Sequence, residues 1–170
     1  FIFVTIKNKL YMYEDNHYTI PILDTLDKKI LSIIIENARI PFLELARECN
    51  VSGASIHQRI QRLASLGVIT GSEYILDPTK IGYFTCAFVS IRVQNPSFIN
   101  STVDVLHKIP EVVECHYTTG EHPIFIKVYA KSNTELKNFL HRKLQSIEGV
   151  TSFETIISLE ESFTRQVPVI

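Results

Sequence analysis

At 170 residues the chain is long enough for one domain or two small ones with a real core, and 45% hydrophobic with 21% charged residues is the balance of a soluble globular protein. A net charge of -1 excludes a global basic field, and no apolar run approaches the roughly 18 residues of a membrane span. Cys49, Cys86 and Cys115 lie far apart without a C-x-x-C pair, which reads as reduced thiols in a cytosolic protein. Cys115, His116 and His122 lack the fourth group of a metal site, so neither metal nor cofactor is expected.

Residues 1–22 form an N-terminal extension. FIFVTI is too short for a signal-peptide core and has Lys7 and Lys9 after it rather than before it, while the alternation of Phe1, Phe3 and Thr5 allows a short strand. The only methionine is Met12, and we expect the native start there, with residues 1–11 an appended piece.

Residues 23–71 carry a 3.6-residue period. Asp24 is a candidate N-cap, with Asp27 three residues on, for a helix over Leu26 to Asn37 whose apolar stripe is Leu26, Ile30, Ile33 and Ile34. Pro41 is placed to open a second helix with Phe42, Leu45, Ala46 and Cys49 on one face. Asn50 suits the left-handed residue of a tight turn, Ser52 the N-cap of a third helix, and Gly67 its end. Three short helices with a tight turn before the third predict a helix-turn-helix.

The third helix, Val51 to Leu66, reads VSGASIHQRIQRLASL. Ile56, Ile60, Leu63 and Ala64 fall on the side expected to face the core, and Ala54, Ser55, Gln58, Gln61, Arg62 and Ser65 on the other. Amide and guanidinium groups bond base edges in bidentate fashion, and the Lys–Glu i,i+4 pairs of a merely solvated helix are missing. The expected partner is therefore double-stranded DNA, with Ser52, Ser55, Gln58, Arg59, Gln61, Arg62 and Ser65 as its contacts. Ser52 and Ser55 sit where helix N–H groups point outward to a phosphate. Arg59 lies between the faces and either pins a phosphate or braces the domain; His57, on the flank, reads as a hydrogen-bonded structural histidine. Asp24 to Gly71 holds six Lys or Arg against five Asp or Glu, so one copy should bind DNA feebly and symmetric multimers are needed.

Residues 72–82 form a linker in which Asp77-Pro78 is a turn signal. Over 83–160 the period changes to two. Ala87, Val89, Ile91 and Val93 alternate along a strand, Asn95-Pro96 breaks it, and Phe98, Thr102, Val105, Leu106 and Ile109 mark a helix. Strands over Val112 to Thr119 and Ile124 to Ala130 follow, then a helix marked by Leu136, Phe139, Leu140, Leu144 and Ile147, ending at Gly149. A last strand runs over Val150 to Leu159 with Phe153, Thr155, Ile157 and Leu159 on one face, and 161–170 is a C-terminal tail. The order β-α-β-β-α-β predicts a ferredoxin-like domain, and the whole an α+β protein with an N-terminal winged-helix-like reader. Its helices cover one sheet face; Phe88, Phe125 and Tyr129 suit an apolar face buried under a partner subunit. Neither G-x-x-x-x-G-K, G-x-S-x-G nor H-E-x-x-H is present, so an enzyme is not expected.

In this order the residues resemble the Lrp/AsnC family of feast/famine transcriptional regulators over Leu23 to Leu159. The resemblance is carried by Leu23-Asp24, Asp27, Ile30-Leu31, Asn37, Arg39, Glu44-Leu45-Ala46, Val51-Ser52, Arg59, Arg62-Leu63, Gly67-Val68-Ile69, Gly71, Leu76-Asp77-Pro78, Gly82, Ala87-Phe88-Val89 and Thr119-Gly120. It implies a cytoplasmic, nucleoid-associated regulator that dimerises through its sheet and assembles further into tetramers or octamers. It also implies an amino-acid effector between dimers at the loop Thr118, Thr119, Gly120, Glu121 and His122. The family's Thr-Gly-x-x-Asp becomes Thr119-Gly120-Glu121-His122-Pro123 here, which leaves three readings open: Glu121 substitutes, the effector differs, or there is none, the loop then being a plain hairpin turn. The alternatives in function are an amino-acid-sensing oligomer without sequence-specific DNA binding and a nucleoid-organising DNA binder.

Overall fold

The structure, a computed structural model, describes residues 3–6, 9–12 and 20–170. Strands β1 (Phe3–Ile6) and β2 (Lys9–Met12) pair antiparallel as a two-stranded sheet. Thus Phe3 and Thr5 of the expected strand lie in one, while Phe1 lies outside the described residues. The described chain divides into two compact units, one holding residues 20–75 with Phe163–Ile170, the other holding β1 and β2 with Leu76–Ser162.

The first unit consists of α1 (Thr25–Glu36), α2 (Phe42–Cys49) and α3 (Gly53–Ser65). Its helix ends are set by local chemistry. The Asp24 carboxylate accepts from the Asp27 N–H at 2.8 Å and the Asp27 carboxylate accepts from the Asp24 N–H at 3.1 Å, a reciprocal capping box that satisfies two donors of the first turn. Pro41 serves as the N-cap of α2 in extended conformation, one position before the first helical residue. Ile30, Leu45, Ala46, Cys49 and Ile56 close the core with Ile40, and Leu26, Ile33, Ile34, Val51 and Ile60 pack around them. Two expected core positions are corrected: Ala64 is exposed and Phe42 is 44% exposed, because the three-helix unit is thin and buries only the centre of each stripe. After Gly67, whose φ is 72°, no helix or strand is formed until a short 3₁₀ turn at Thr79–Ile81.

The second unit follows β3 (Thr85–Val93), α4 (Phe98–His107), β4 (Val112–Tyr117), β5 (Ile124–Ala130), α5 (Asn133–Asn138) and β6 (Val150–Ser158). The sheet order is β4-β5-β3-β6 with every pair antiparallel, the split β-α-β-β-α-β arrangement. Ala87, Val89, Ile91, Ile124, Ile126 and Val128 are fully buried beneath Leu106 and Leu144. At roughly 25 cal/mol for each Å² of apolar surface removed from water, each of the Val, Leu and Ile side chains among them stabilises the fold by about 1.5–3 kcal/mol. Three details depart from the period-based reading. Val105 is 41% exposed, α5 continues as a π-helical segment over Phe139–Leu144, and Leu159 lies beyond the last strand at 99% exposure. The Gln145 N–H donates to the Leu140 carbonyl, five residues back, and this wider turn lets Phe139 and Leu144 both reach the core. Gly149, at φ +84°, could not be otherwise, since an added Cβ would lie 2.2 Å from the Phe98 Cγ.

Candidate nucleic-acid interface

The turn between α2 and α3 places the third helix. Asn50 adopts φ 55°, ψ 45°, its N–H donates to the Arg47 carbonyl, and the Val51 N–H donates to the Ala46 carbonyl at 3.0 Å. This left-handed close satisfies the last carbonyls of α2 and reverses the chain within two residues. Ser52 then caps α3, its Oγ accepting from the Ser55 N–H at 3.2 Å. Ile56 and Leu63, both fully buried, fix the helix's inner side.

With that side fixed, Ser52, Gln58, Gln61, Arg62 and Ser65 are exposed, and Ser55 and Arg59 are half-buried. The Ser65 hydroxyl donates back to the Arg62 carbonyl at 2.8 Å. His57 is exposed rather than a hydrogen-bonded core histidine; its ring meets Phe42 edge-on at 6.1 Å, because the flank of α3 opens to solvent beside the half-exposed start of α2.

The two arginines are tied to α1. Arg59 Nη1 donates to Asp24 Oδ2 at 2.6 Å and to Asp27 Oδ1 at 2.8 Å, and Arg62 Nη2 donates to Asp27 Oδ2. Asp27 has 0% side-chain exposure, so its charge is enclosed, with both oxygens taken by guanidinium or backbone donors. The Asp27 N–H, then the Arg59 guanidinium, hold the Asp24 carboxyl below its ordinary value, and the same carboxylates raise Arg59. An open concavity of about 500 Å³ lies over this cluster, flanked by Ile22, Ser55 and Gln58. Asp24 and Asp27 were legible as a helix cap; their role toward α3 was not, because 35 residues separate Arg59 from Asp24.

In the second unit, the Thr118 N–H and Oγ1 donate to the Pro123 and His122 carbonyls, each at 2.8 Å, and Gly120 turns at φ 103°. Thr119 and Glu121 are exposed, and the Glu121 carboxylate lies 4.0 Å from Arg92. Among the described residues no group of three or more His, Cys, Asp or Glu side chains is arranged to hold a metal ion.

A capped third helix with a polar outer side, set by a tight turn after the second helix and followed in the chain by an α+β domain, defines a class: helix-turn-helix DNA-binding regulators with an appended domain. Residues 23–70 match the winged helix-turn-helix DNA-binding family, and residues 86–168 match the Lrp/AsnC ligand binding domain. The chain is 36% identical over 145 residues to the regulatory protein AsnC of Haemophilus influenzae, covering 85% of this chain and 97% of that one. The solved structure of Escherichia coli AsnC superposes with a TM-score of 0.82 at 34% identity, covering 87% of this chain and 99% of that one. A transcriptional regulator of Neisseria meningitidis solved with L-Met shares the fold, with a TM-score of 0.80 at 23% identity over 85% and 94% of the two chains. The chain belongs to the Lrp/AsnC family and is a DNA-binding transcriptional regulator.

Proposed function

We propose that the protein reads a specific operator through paired α3 helices, with Gln58 and Gln61 as its principal base readers. The observation that carries this is the division of the outer side of α3: both arginines are engaged by carboxylates, whereas the two glutamine amides stand exposed with no hydrogen bond among the described residues. A side-chain amide bonds adenine N6 and N7 in bidentate fashion, worth about 1–3 kcal/mol of discrimination. Ser52, Ser55 and Ser65 supply phosphate or base-edge hydrogen bonds, Arg62 offers the donors that Asp27 does not take, and Arg59 acts as a brace. The near-balance of charge in this domain makes a single copy a weak binder, so the working form is a dimer or larger cytoplasmic assembly. Half-sites then lie about one helical turn apart.

The second unit, in this reading, takes a small amino acid at Thr118 to His122 between copies. Glu121 would face the ammonium group and Arg92 the carboxylate, a pairing that suits a zwitterion. L-Met in the Neisseria meningitidis relative supports an amino-acid ligand by analogy of fold.

Selection of bound fragments from random DNA, followed by titration of the winner against a scrambled duplex, tests the reading. A two-fold related consensus is expected, with most of the preference lost in Gln58→Ala/Gln61→Ala while the fold is kept. Retention of full preference in that variant would overturn the assignment of the glutamines. Repeating the titration with each common amino acid tests the ligand: one of them should shift operator affinity, and Glu121→Gln should abolish the shift.

A further inference from the structure

DNA-binding helices that bristle with cations bind any duplex, since each neutralised phosphate releases counterions regardless of sequence. In α3 the only cations are Arg59 and Arg62, and neither faces outward alone. Both are held by carboxylates at the N-cap and in the first turn of α1, in a hydrogen-bonded set that also closes the capping box. We propose that Asp24 and Asp27 are specificity-determining residues, which withhold the α3 guanidiniums from non-specific phosphate binding and hold that of Arg62 in one orientation toward the bases.

The geometry supports each part. Arg59 is bonded to both carboxylates and its side chain is only 27% exposed, so it is a poor phosphate ligand while they are charged. Arg62 gives Nη2 to the enclosed Asp27, and its side chain remains 45% exposed, so its other donors face outward from a guanidinium whose plane is restrained. The depressed Asp24 and raised Arg59 titrations agree with charges held as a pair across the working pH range. Asp27 touches no outward surface, so it acts on DNA only through the arginines and is a positioning residue.

The inference rests on the DNA-reading proposal, and the test separates the two. Random and operator duplexes are titrated from 50 to 200 mM salt with wild type, Asp24→Asn, Asp27→Asn and Asp24→Asn/Arg59→Gln, each checked for folding by thermal melting. Asn is as good an N-cap as Asp, so Asp24→Asn keeps the capping box acceptor while removing the charge. Its plot of log affinity against log salt on random duplex should steepen, by at most about 0.9 or an additional three- to four-fold loss across that range, because Arg59 keeps only its bond to Asp27 and is freed in part to phosphate. The double variant should return to the wild-type slope, which a purely structural role would not produce. Asp27→Asn, if folded, releases Arg62 and leaves Arg59 with Asp24 alone, so it should steepen the slope more than Asp24→Asn does and cut the operator-to-random ratio at least about five-fold; if it does not fold, Asp24→Asn and its double decide the question. A folded Asp24→Asn with the wild-type slope overturns the inference while leaving operator reading intact. Absence of any wild-type binding would overturn the DNA-reading proposal and this inference together.

Discussion

Asp24 does three things with one carboxylate: it caps α1, accepts from Arg59, and carries a titration that depends on both. Its folded-state value lies below the ordinary 3.8, so its contribution to stability is present above that pH and is lost as pH falls through the lower folded value. Comparing wild type with Asp24→Asn between pH 5 and 2 isolates this. The melting temperature of wild type should fall more steeply over that interval, and parallel curves would show that the pairing adds nothing to stability. Local residue roles of this kind were partly legible in the sequence. Asp24 and Asp27 three apart, Asn50 before a serine cap, and Gly67 after the last apolar residue are short-range signals, and each appears in the structure as a cap or a turn. The pairing of α1 carboxylates with α3 arginines was not legible, since no local spacing links residues that meet only after two turns of chain reversal.

At the scale of elements, period decided most of what could be read. Alternation over β3 and β5 is complete, with every second residue buried, because both strands are central in the sheet. The edge strand β4 has a shifted register between Val112 and Glu114, and its burial pattern alternates poorly for that reason. The π-helical end of α5 escaped a reading based on 3.6 residues per turn, as any one-residue expansion must. Gly149 closes the same segment. Alanine there meets both a positive φ and the Phe98 ring, so Gly149→Ala should cost about 2 kcal/mol or more in urea denaturation. A loss below about 0.5 kcal/mol would mean that the α4 side chain moves aside freely.

For the whole molecule, the question is how two units of ordinary size become a regulator. The outer side of the four-stranded sheet stacks Phe88 on Phe125 with ring centroids 5.7 Å apart, and Ile156 beside them is 66% exposed. Lys127 stands among them, paired with Glu161 at 2.9 Å and Glu114 at 3.6 Å. We expect this side to be covered by a second copy, which would raise the effective concentration of the second α3 on DNA. Phe88→Glu should therefore shift the protein to monomer in sedimentation and weaken operator binding by two orders of magnitude or more, on the order of the usual gain from bivalency. An unchanged sedimentation coefficient would place self-association elsewhere.

The division of labour along α3 also bears on how such regulators diversify. Ile56 and Leu63 hold the helix in place, Arg59 and Arg62 tie it to α1, and Gln58 and Gln61 do neither. Replacements at the two glutamines leave the foundations of the domain untouched, so, with these amides as the base readers proposed above, new operators would lie within one or two codon changes of the old one. Drift in the target sequence is then uncoupled from drift in stability, and a duplicated copy of this protein can acquire a separate set of genes without first having to survive a misfolded intermediate.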